Sequence, residues 1–472
     1  MAEIKSNQIP RPPVVAVMGH VDHGKTTLLD YIRNTNLAAR EAGGITQAIG
    51  AYEITRNGRL ITFIDTPGHE AFSHMRAHGA KCADIAMLVV AADDSVKPQT
   101  KEALASLQAA AVPFVVAITK TDKPGANIEK VKQDLAQIGV FLEGYGGAIS
   151  WHAVSGKSGE GVSDLLDLVL LAADLEHPTY DPASPATGIV LTARLDPRRG
   201  IVVGAVLENG TLRRGNFIAT PSARGKVKML ENLLGKPAPA LSPSAPALIV
   251  GFESLPEIGE AFVAGTTPPV VAAPPKKVSV SRLPAEGDHV PLILKADEAA
   301  GLQALEGVVQ KLSANIPLVV VSKSVGDVYE SDVKTAESVG AAVVGFRTKT
   351  DRAAQNLARA KKIMLIGSSV IYELEKEIAR YAEKLVAKAM RTIEVLAIFG
   401  EAKGKQHIVG GRVTLGPVRN QESFEIWQEK KLIGKGRILN LQSERQDVSE
   451  AIAGQEVGLL VESDEPIAVG NR

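Results

Sequence analysis

The sequence contains almost no cysteine and has no excess of charge of either sign. Cys82 is the only cysteine among 472 residues, which excludes an internal disulfide and a cysteine-based structural zinc site. Lys and Arg together number 53, as do Asp and Glu. This balance argues against a highly basic nucleic-acid coat protein and against an acidic disordered chain, although a local basic patch remains compatible with it.

Long hydrophobic runs are absent as well. No window approaches the roughly 18 consecutive apolar residues that indicate a membrane-spanning helix, so we predict no membrane partner. The first ten residues lack the apolar core of a signal peptide. Together with the single cysteine, this predicts a cytoplasmic protein. At about 150 residues per domain, the length alone predicts roughly three domains.

The order of apolar segments and proline-rich stretches divides the chain further. Continuous apolar strands that alternate with amphipathic helices predict a mostly parallel, doubly covered sheet, whereas short strands with glycine-rich turns predict small barrels. We therefore predict an α/β multidomain chain. Its expected parts are an N-terminal tail over 1–10, an α/β domain over 11–178, a β-barrel (domain II) over 185–280, an α/β/α domain (domain III) over 285–368, a long connecting helix over 369–391 and a C-terminal β-barrel over 392–472.

A phosphate-binding motif follows the first apolar strand. The segment Gly19-His20-Val21-Asp22-His23-Gly24-Lys25-Thr26 has the spacing G-x-x-x-x-G-K-[ST] and opens a predicted helix. The two glycines let successive backbone N–H groups approach phosphate oxygens. Lys25 would reach the β- and γ-phosphates, and the Thr26 hydroxyl would bind Mg²⁺. A chance glycine-rich turn is the alternative, which the strand–loop–helix context disfavours.

Three further segments, each at the end of a predicted strand, extend this site to a guanine base. They are Asp65-Thr66-Pro67-Gly68-His69, Thr119-Lys120-Thr121-Asp122 and Ser155-Gly156-Lys157. Asp65 can hold a water on Mg²⁺, and the Gly68 N–H can sense a γ-phosphate. Asp122 can accept hydrogen bonds from N1 and N2 of guanine, which adenine cannot both supply. The third segment suits a backbone contact to O6 of guanine, so we predict a P-loop domain that binds GTP.

These motifs resemble those of the translational GTPases. Three segments make the sequence more similar to bacterial-type translation initiation factor two than to elongation factors: Ala42-Gly43-Gly44-Ile45-Thr46-Gln47, Ile64 to Phe72, and Lys97-Pro98-Gln99-Thr100. The similarity continues through Leu292 to Asp297, Ser331-Asp332-Val333 and Ile371-Tyr372-Glu373, and it becomes looser after residue 390. The resemblance thus covers nearly the whole chain and is most specific in the first 180 or so residues.

The resemblance implies a nucleotide-dependent switch. Gly44, Ile45 and Thr46 would belong to the first switch segment, with Thr46 joining Thr26 and Asp65 around Mg²⁺. His69 would orient the attacking water, and the large ribosomal subunit would complete the site by reorienting it, because intrinsic hydrolysis at such sites is slow. The resemblance further implies a monovalent cation at Asp22, for which hydrogen bonding within the loop is the simpler alternative.

In the resembling family the last barrel binds the acylated 3′ end of initiator tRNA, with the long helix as a spacer. That helix could equally pack on domain III. Glu456 and Gly458 match the family pattern and are our candidate tRNA-binding residues. The chain departs from the pattern in this barrel at Gly411 and Val457, where the family commonly has Cys, and at Leu441 to Arg445, where the basic-aromatic run of the family is lost.

Two departures fall in the nucleotide-binding part. Thr119 replaces the usual Asn of the guanine motif, and Ala48 replaces a usual His of the first switch region. Because Thr keeps a hydroxyl but loses an amide, we expect a modest loss of loop stability with guanine specificity retained. His74 and His78 are four residues apart on a predicted helix, but without an acidic or cysteine partner we expect no metal there.

We predict a monomeric, GTP-hydrolysing translation initiation factor. It would bind GTP and GDP, position initiator tRNA on the small ribosomal subunit and promote joining of the large one. One alternative is an elongation-type carrier of aminoacyl- or selenocysteinyl-tRNA, disfavoured by the residues after Pro67-Gly68-His69. The other is a non-translational GTP-regulated binding protein whose last barrel has a different partner.

Overall fold

The computed structural model describes residues 8–33, 50–68, 70–232, 235–269, 289–389, 391–403, 405–428, 431–444, 446–463 and 465–472. The chain forms two compact units. The first comprises Met1–Leu283, Pro291–Ser313 and Val320–Glu375, and the second comprises Pro284–Val290, Ala314–Val319 and Lys376–Arg472. No helix in the described ranges is long and apolar enough to cross a membrane.

The N-terminal part of the first unit is an α/β domain. Its elements are β1 (Ile9–Pro10), β2 (Val14–Gly19), α1 (Lys25–Arg33), β3 (Gly50–Arg56), β4 (Arg59–Asp65), a 3₁₀ turn at Glu70–Phe72, α2 (Ser73–Cys82), β5 (Ile85–Ala91), α3 (Pro98–Ala109), β6 (Phe114–Thr119), α4 (Ile128–Gln137), β7 (Trp151–Ala153), α5 (Val162–Glu176) and β8 (Thr179–Tyr180). Six strands form one sheet in the order β3-β4-β2-β5-β6-β7. Only β3 and β4 pair antiparallel; the other neighbours are parallel.

Alternate side chains of the central strands enter two separate hydrophobic cores. Val15 and Val17 pack into one core, whereas Ala16 and Met18 pack into the other. Strands covered on both faces need apolar residues at every position, which is why they appear as continuous runs in the sequence. This confirms the predicted α/β fold class.

The end of the predicted tail is paired with the predicted inter-domain segment. Ile9 lies opposite Tyr180 and Pro10 opposite Thr179 in a two-stranded antiparallel pair. Proline is tolerated there because a short edge pair needs few ladder hydrogen bonds. The next residue, Arg11, places a guanidinium nitrogen 2.6 Å from Asp84 Oδ1. The expectation that 1–10 is simply a tail is therefore corrected for Ile9 and Pro10; residues 1–7 lie outside the described ranges.

A closed β-barrel follows in the same unit. Its segment contains β9 (Ala186–Asp196), β10 (Gly200–Asn209), β11 (Leu212–Arg213), β12 (Phe217–Ala219), β13 (Arg224–Asn232), β14 (Ala240–Leu241), β15 (Pro246–Phe252) and β16 (Ala261–Gly265). The barrel order is β10-β15-β13-β12-β16-β9, and β11 pairs with β14 outside it. Every other residue of the long strands points inward, as in Val203, Ala205 and Leu207. The chain after β16 contains Pro268, Pro269, Pro274 and Pro275, and residues 270–288 lie outside the described residues.

A second α/β segment and a long helix come next. They contain β17 (Val290–Ala296), α6 (Ala299–Ser313), β18 (Leu318–Val325), α7 (Glu330–Val339), β19 (Ala342–Phe346), α8 (Arg352–Lys361), β20 (Leu365–Ser368) and α9 (Ile371–Ala389). The sheet order is β18-β17-β19-β20. The connecting helix predicted over 369–391 begins at Ile371, because the Val370 N–H is taken by the Ser368 hydroxyl, 3.0 Å away. Ile371, Leu374, Ile378 and Ala382 form its buried stripe.

The C-terminal part of the second unit is a curved antiparallel sheet. It contains β21 (Thr392–Lys403), β22 (Gln406–Leu415), β23 (Val418–Arg419), β24 (Ser423–Gln428), β25 (Lys431–Ser443), β26 (Gln446–Asp447), β27 (Glu450–Ala451) and β28 (Glu456–Ser463), with main order β21-β22-β28-β25-β24. The last residues join its two edges. Val395 of β21 donates to Asn471 O at 2.9 Å, and Trp427 of β24 donates to Arg472 O at 2.7 Å. The terminal segment thereby supplies the closure that a barrel requires.

Candidate nucleotide-binding site

The phosphate loop connects the end of β2 to the start of α1. Gly19 has φ +151°, and a Cβ there would lie 2.3 Å from the carbonyl oxygen of Val89. Gly24 has φ +81°, in the left-handed region that favours glycine. Asp22 is at φ 62°, which aspartate tolerates better than most residues. Backbone geometry, as well as ligand chemistry, therefore demands these residue types.

Lys25 is buried under this loop. Its Nζ donates to Gly19 O at 2.9 Å and to His20 O at 2.6 Å. Burial lowers the pKa of Lys25 to about 8, whereas the nearby carboxylates of Asp65 and Asp22 act in the opposite direction. The ammonium is thus held inside the loop by two carbonyls, at the place from which it would reach phosphates.

The segment after β4 lies directly against the phosphate loop. The Thr66 hydroxyl donates to Val17 O at 2.8 Å, which fixes the segment beside β2. A Cβ on Gly68 would lie 2.6 Å from Lys25 Nζ and 2.8 Å from Val21 N. Glycine is therefore required at position 68, because the backbone there lies against the phosphate loop. The same backbone is within reach of a group bound by that loop.

The donor set of the proposed magnesium site fits the ion. Asp65 is buried at the end of β4. Its carboxylate lies close enough to Lys25 to oppose the lowering of the Lys25 pKa by burial. Thr26 is in the first turn of α1. A carboxylate and a hydroxyl are hard oxygen ligands, and Mg²⁺ is commonly bound by one or two carboxylates plus substrate phosphates. The third expected ligand, Thr46, lies outside the described residues.

The guanine motif is tied to the phosphate loop through Thr119. Its buried hydroxyl donates to His23 O at 2.5 Å, so the end of β6 holds the middle of the loop. Asp122 is exposed at this edge and its Oδ1 accepts from the Ser155 hydroxyl at 2.7 Å. This hydrogen bond is the main cause that lowers the pKa of Asp122 below its ordinary value. Asp122 is therefore an ionised acceptor at neutral pH.

The segment Ser155-Gly156-Lys157 follows β7 and packs on α1. Ser155 is fully buried, and its hydroxyl also accepts from Ser158 N at 3.1 Å. A Cβ on Gly156 would lie 2.9 Å from the N and Cα atoms of Leu28. Only glycine allows this segment to approach the helix so closely. The side chain of Lys157 is exposed.

The four predicted motifs thus meet at one edge of the sheet. The structure brings together the phosphate loop, Asp65 to Gly68, Thr119 to Asp122 and Ser155 to Lys157, each following a strand of the same sheet. The first-switch residues Gly44, Ile45 and Thr46, the departure Ala48, and His69 lie outside the described residues.

Sequence reasoning missed several side chains around the phosphate loop. Gln99 of α3 accepts from Val21 N at 3.1 Å, and Asp94 and Lys97 lie 2.7 Å apart. Ligand atoms of His20, His23 and Asp94 lie within 4.8 Å of one another, a spacing that could suit a metal. Because Asp94 already pairs with the Lys97 ammonium, we assign no ion there. The sequence signal that could have indicated these side chains was Pro98, which starts α3, together with the polar residues around it.

Two histidines of α2 lie outside the phosphate loop. His74 is exposed on α2. The ring of His78 covers Gly259, where a Cβ would lie 2.0 Å from its Nδ1. Burial lowers the pKa of His78. Cys82 is buried at the end of α2, and burial raises the pKa of its thiol.

The candidate tRNA-binding residues lie in the second unit, on β28. Glu456 is exposed, and its Oε1 lies 2.7 Å from Arg412 Nη2. Gly458 pairs with Gly410 on one side and Gln442 on the other. A Cβ on Gly458 would have no neighbour closer than 4.0 Å. Open space above this glycine is compatible with a ligand at this row of the sheet.

The family departures in this sheet are neighbours in space. Gly411 pairs directly with Val457, and Val457 pairs on its other side with Ser443. A Cβ on Gly411 would lie 2.4 Å from Ile393 Cγ2. Val457 is buried in the core of the sheet. The two positions at which the family commonly has Cys are thus one cross-strand pair, with a residue lacking a side chain opposite a branched one.

Comparisons with known proteins match three parts of the chain to family models and nearly the whole chain to a relative. Family models match for the elongation factor Tu GTP-binding domain at residues 11–174, elongation factor G domain 2 at 185–265 and translation-initiation factor 2 at 276–379. The translation initiation factor IF-2 of Rubrobacter xylanophilus is 38% identical over 98% of this chain and 71% of its own length.

Two solved structures are also similar. The GDP-bound aIF5B from Aeropyrum pernix is 25% identical, with 97% of this chain and 92% of that chain covered and a TM-score of 0.46. The bacterial selenocysteine-specific elongation factor EF-Sec is 22% identical, with 54% of this chain and 45% of that chain covered and a TM-score of 0.44.

Proposed function

Because this chain belongs to the translation initiation factor IF-2 family, we propose that it hydrolyses GTP while it positions initiator tRNA on the small ribosomal subunit and promotes joining of the large one. The protein is a GTP-dependent initiation factor and a translational GTPase, and its predicted resemblance is confirmed. The observation that carries the guanine-nucleotide part of the proposal is the hydrogen bond from the Ser155 hydroxyl to Asp122 beside the phosphate loop, and the tRNA and ribosome parts are proposed from family membership. Membership of this family disfavours both the elongation-type and the non-translational alternatives.

Phosphate binding is the first step that these residues explain. N–H groups of the loop and of the first turn of α1 point at phosphate oxygens, as at other helix N-termini. The Lys25 ammonium exchanges its two carbonyl partners for phosphate oxygens, a change that favours its charged form. Thr26 and Asp65 would hold Mg²⁺, which would supply positive charge that neutralises the phosphates.

Base selection depends on a carboxylate. An ionised Asp122 accepts from N1 and N2 of guanine, and the Ser155 hydroxyl keeps its second oxygen oriented. Adenine would cover the carboxylate without supplying both donors, which is the situation that gives strong discrimination. The backbone after Ser155 would contact O6 of the same base.

Hydrolysis requires a positioned water. In this proposal His69 orients it and Thr46 covers the Mg²⁺ and the γ-phosphate. The large ribosomal subunit completes the arrangement, because positioning and charge stabilisation are incomplete in the free protein. Loss of the γ-phosphate then releases the switch segments. The tRNA end would bind the C-terminal sheet near Glu456 and Gly458.

Binding and co-sedimentation test the proposal together. We expect the purified chain to bind GTP and GDP in the presence of Mg²⁺ and to bind ATP at least about 10⁴-fold more weakly. We also expect GTP to increase co-sedimentation with ribosomes relative to GDP. His69→Ala should abolish ribosome-stimulated hydrolysis and retain GTP binding. Preference for adenine nucleotides, or equal ribosome binding with GTP and GDP, would contradict the proposal.

A binding assay with initiator tRNA tests the C-terminal part separately. Formylated and unformylated initiator tRNA should be compared with an elongator aminoacyl-tRNA, at the same concentration of chain and GTP. We expect preference for the initiator over the elongator. Preference for the elongator would favour the elongation-type alternative instead.

A further inference from the structure

A buried arginine holds the segment between β4 and α2. Arg76 lies on α2 and is 1% exposed, with the largest side chain among the fully buried residues that the structure describes. Its Nη1 donates to Pro67 O at 3.3 Å and to Gly68 O at 3.2 Å. Its Nη2 lies 2.5 Å from Glu102 Oε2 on α3. A guanidinium is rarely fully buried unless its charge is paired, and here Glu102 supplies the opposite charge.

The two carbonyl contacts determine where a backbone N–H points. No cis peptide bond occurs in the described residues, so the bond between Pro67 and Gly68 is trans. In a planar trans peptide the C=O and N–H groups point in opposite directions. With Pro67 O directed at Arg76, the Gly68 N–H is directed away from Arg76. The Cα of Gly68 at the same time lies against the phosphate loop, with its missing Cβ aimed at Lys25 Nζ.

We propose that Arg76 is a positioning residue for γ-phosphate recognition, acting by holding the carbonyls of Pro67 and Gly68 so that the Gly68 N–H faces the nucleotide. This inference rests on the proposed GTP-binding function. The planar guanidinium holds both carbonyls through Nη1 and pairs with Glu102 through Nη2, a fixed fork that the single nitrogen of lysine cannot reproduce.

Glu102 completes the arrangement from a neighbouring helix. Its carboxylate is 41% exposed, so it offsets the buried charge while remaining partly hydrated. Gln99 lies one turn earlier on α3, and its Oε1 accepts from Val21 N in the phosphate loop. Residues three apart lie on the same helix face. One face of α3 therefore contacts both the phosphate loop and, through Arg76, the segment that senses the γ-phosphate.

The proposal distinguishes GTP from GDP. Gly68 would contact only the γ-phosphate, which GDP lacks. Arg76→Gln removes the charged donors, and we expect it to weaken binding of a non-hydrolysable GTP analogue by about tenfold to a hundredfold. GDP affinity should change by less than about threefold, since the interactions of the phosphate loop itself remain. Arg76→Lys keeps the charge without the fork and should weaken the analogue by an intermediate factor.

A matched substitution controls for loss of an ion pair in the same domain. Arg56 on β3 donates to both carboxylate oxygens of Asp167, at 2.9 and 2.7 Å, and this pair lies outside the site. Arg56→Gln should leave the ratio of analogue to GDP affinity unchanged. Affinities would be measured on the full-length chain by titration calorimetry, with thermal denaturation to verify folding.

The outcomes separate this inference from the proposed function. A fall in the analogue-to-GDP affinity ratio in Arg76→Gln, but not in Arg56→Gln, supports the positioning role. An unchanged ratio overturns it, as does an equal loss of both affinities, while guanine-nucleotide binding by the unaltered chain would still support the proposed function. If Arg76→Gln does not fold, Glu102→Gln serves instead, and we expect the same direction with a smaller change, about threefold to tenfold. An unchanged ratio in that variant would overturn the inference as well.

Discussion

The nucleotide site and the candidate tRNA-binding row of the C-terminal sheet are built in different ways. In the first, each functional group sits in a short contiguous loop at the end of a parallel strand, so the residues that act together are also neighbours in sequence. In the second, Gly410, Gly458 and Gln442 are far apart in sequence and become neighbours through strand register alone. A site built from loops can therefore be recognised from sequence motifs, whereas a site built across strands can be recognised only when the strand register is known.

The largest effect on nucleotide affinity should come from a substitution at Asp122, the residue that is proposed to bind the base. Asp122→Asn replaces one acceptor oxygen by an amide that donates. We expect GTP affinity to fall by about 10⁴-fold, because guanine N1 and N2 would face a donor. Xanthosine triphosphate carries an oxygen in place of the guanine amino group and should bind the variant better than GTP does. Competition binding against a fluorescent nucleotide measures both. If the variant kept its preference for guanine, Asp122 would not be the base-selecting residue.

A pair of glycine substitutions compares the two sites directly. Gly68→Ala places a Cβ 2.8 Å from Val21 N, whereas Gly458→Ala places one in open space, 4.0 Å from the nearest atom. We expect Gly68→Ala to weaken binding of a GTP analogue by about a hundredfold, since the segment must move away from the phosphate loop. Gly458→Ala should leave nucleotide binding unchanged, and filter binding would show whether it affects initiator tRNA. Equal nucleotide affinities for the two variants would contradict the close approach of Gly68.

The pH dependence of nucleotide binding tests whether Lys25 changes its protonation state when phosphates bind. Burial lowers the pKa of Lys25 to about 8 in the free protein, and phosphate oxygens should raise it in the complex. Binding therefore takes up a proton above pH 8, so affinity should fall as the pH rises. We expect close to tenfold loss per pH unit above 8 and little change between pH 7 and 7.5. Flat affinity from pH 7 to 9 would show that the amine stays charged in the free protein. Calorimetry in buffers of different ionisation enthalpy would count the protons.

A substitution at Gly411 should have a smaller effect, which is confined to the stability of the C-terminal sheet. Gly411→Ala places a Cβ 2.4 Å from Ile393 Cγ2 and 2.9 Å from Glu394 O. Overpacking of this kind costs about 1–3 kcal/mol of the free energy of unfolding. Gly458→Ala is the matched control in the partner strand and should cost less than about 1 kcal/mol. Chemical denaturation would be followed by tryptophan fluorescence in a Trp151→Phe background, so that Trp427 alone reports on this unit. Equal stabilities would show that the sheet accommodates a side chain at 411.

The smallest effect concerns the hydroxyl that joins two loops of the nucleotide site. Thr119→Val removes the hydrogen bond to His23 O without changing the shape of the side chain much. We expect a loss of about 1–2 kcal/mol in the free energy of unfolding, with the preference for guanine over adenine retained. Denaturation and nucleotide competition measure the two quantities. A loss of base preference would mean that Thr119 orients Asp122 and does more than hold the loop.

Particular residues show how far prediction from sequence extends. The alternation of Val15, Ala16 and Val17 between two cores follows from their uniformly apolar character. The meeting of four motifs at one sheet edge follows from parallel strands, whose carboxyl ends share an edge. Arg76 escaped prediction because the pattern of α2 gives no reason to bury a charge there. Its partners come from two other segments, which only packing brings together.

The sequence by itself determined the order of α/β and β segments, the phosphate loop and the acceptor that distinguishes guanine. These depend on interactions among residues close in the chain, and local spacing encodes them. The tertiary structure alone decided that Ile9 and Pro10 pair with Tyr180 and Thr179, that Gly411 faces Val457, and that the last two residues join the edges of the final sheet. Such contacts depend on strand register and on packing between distant segments, which no local pattern specifies.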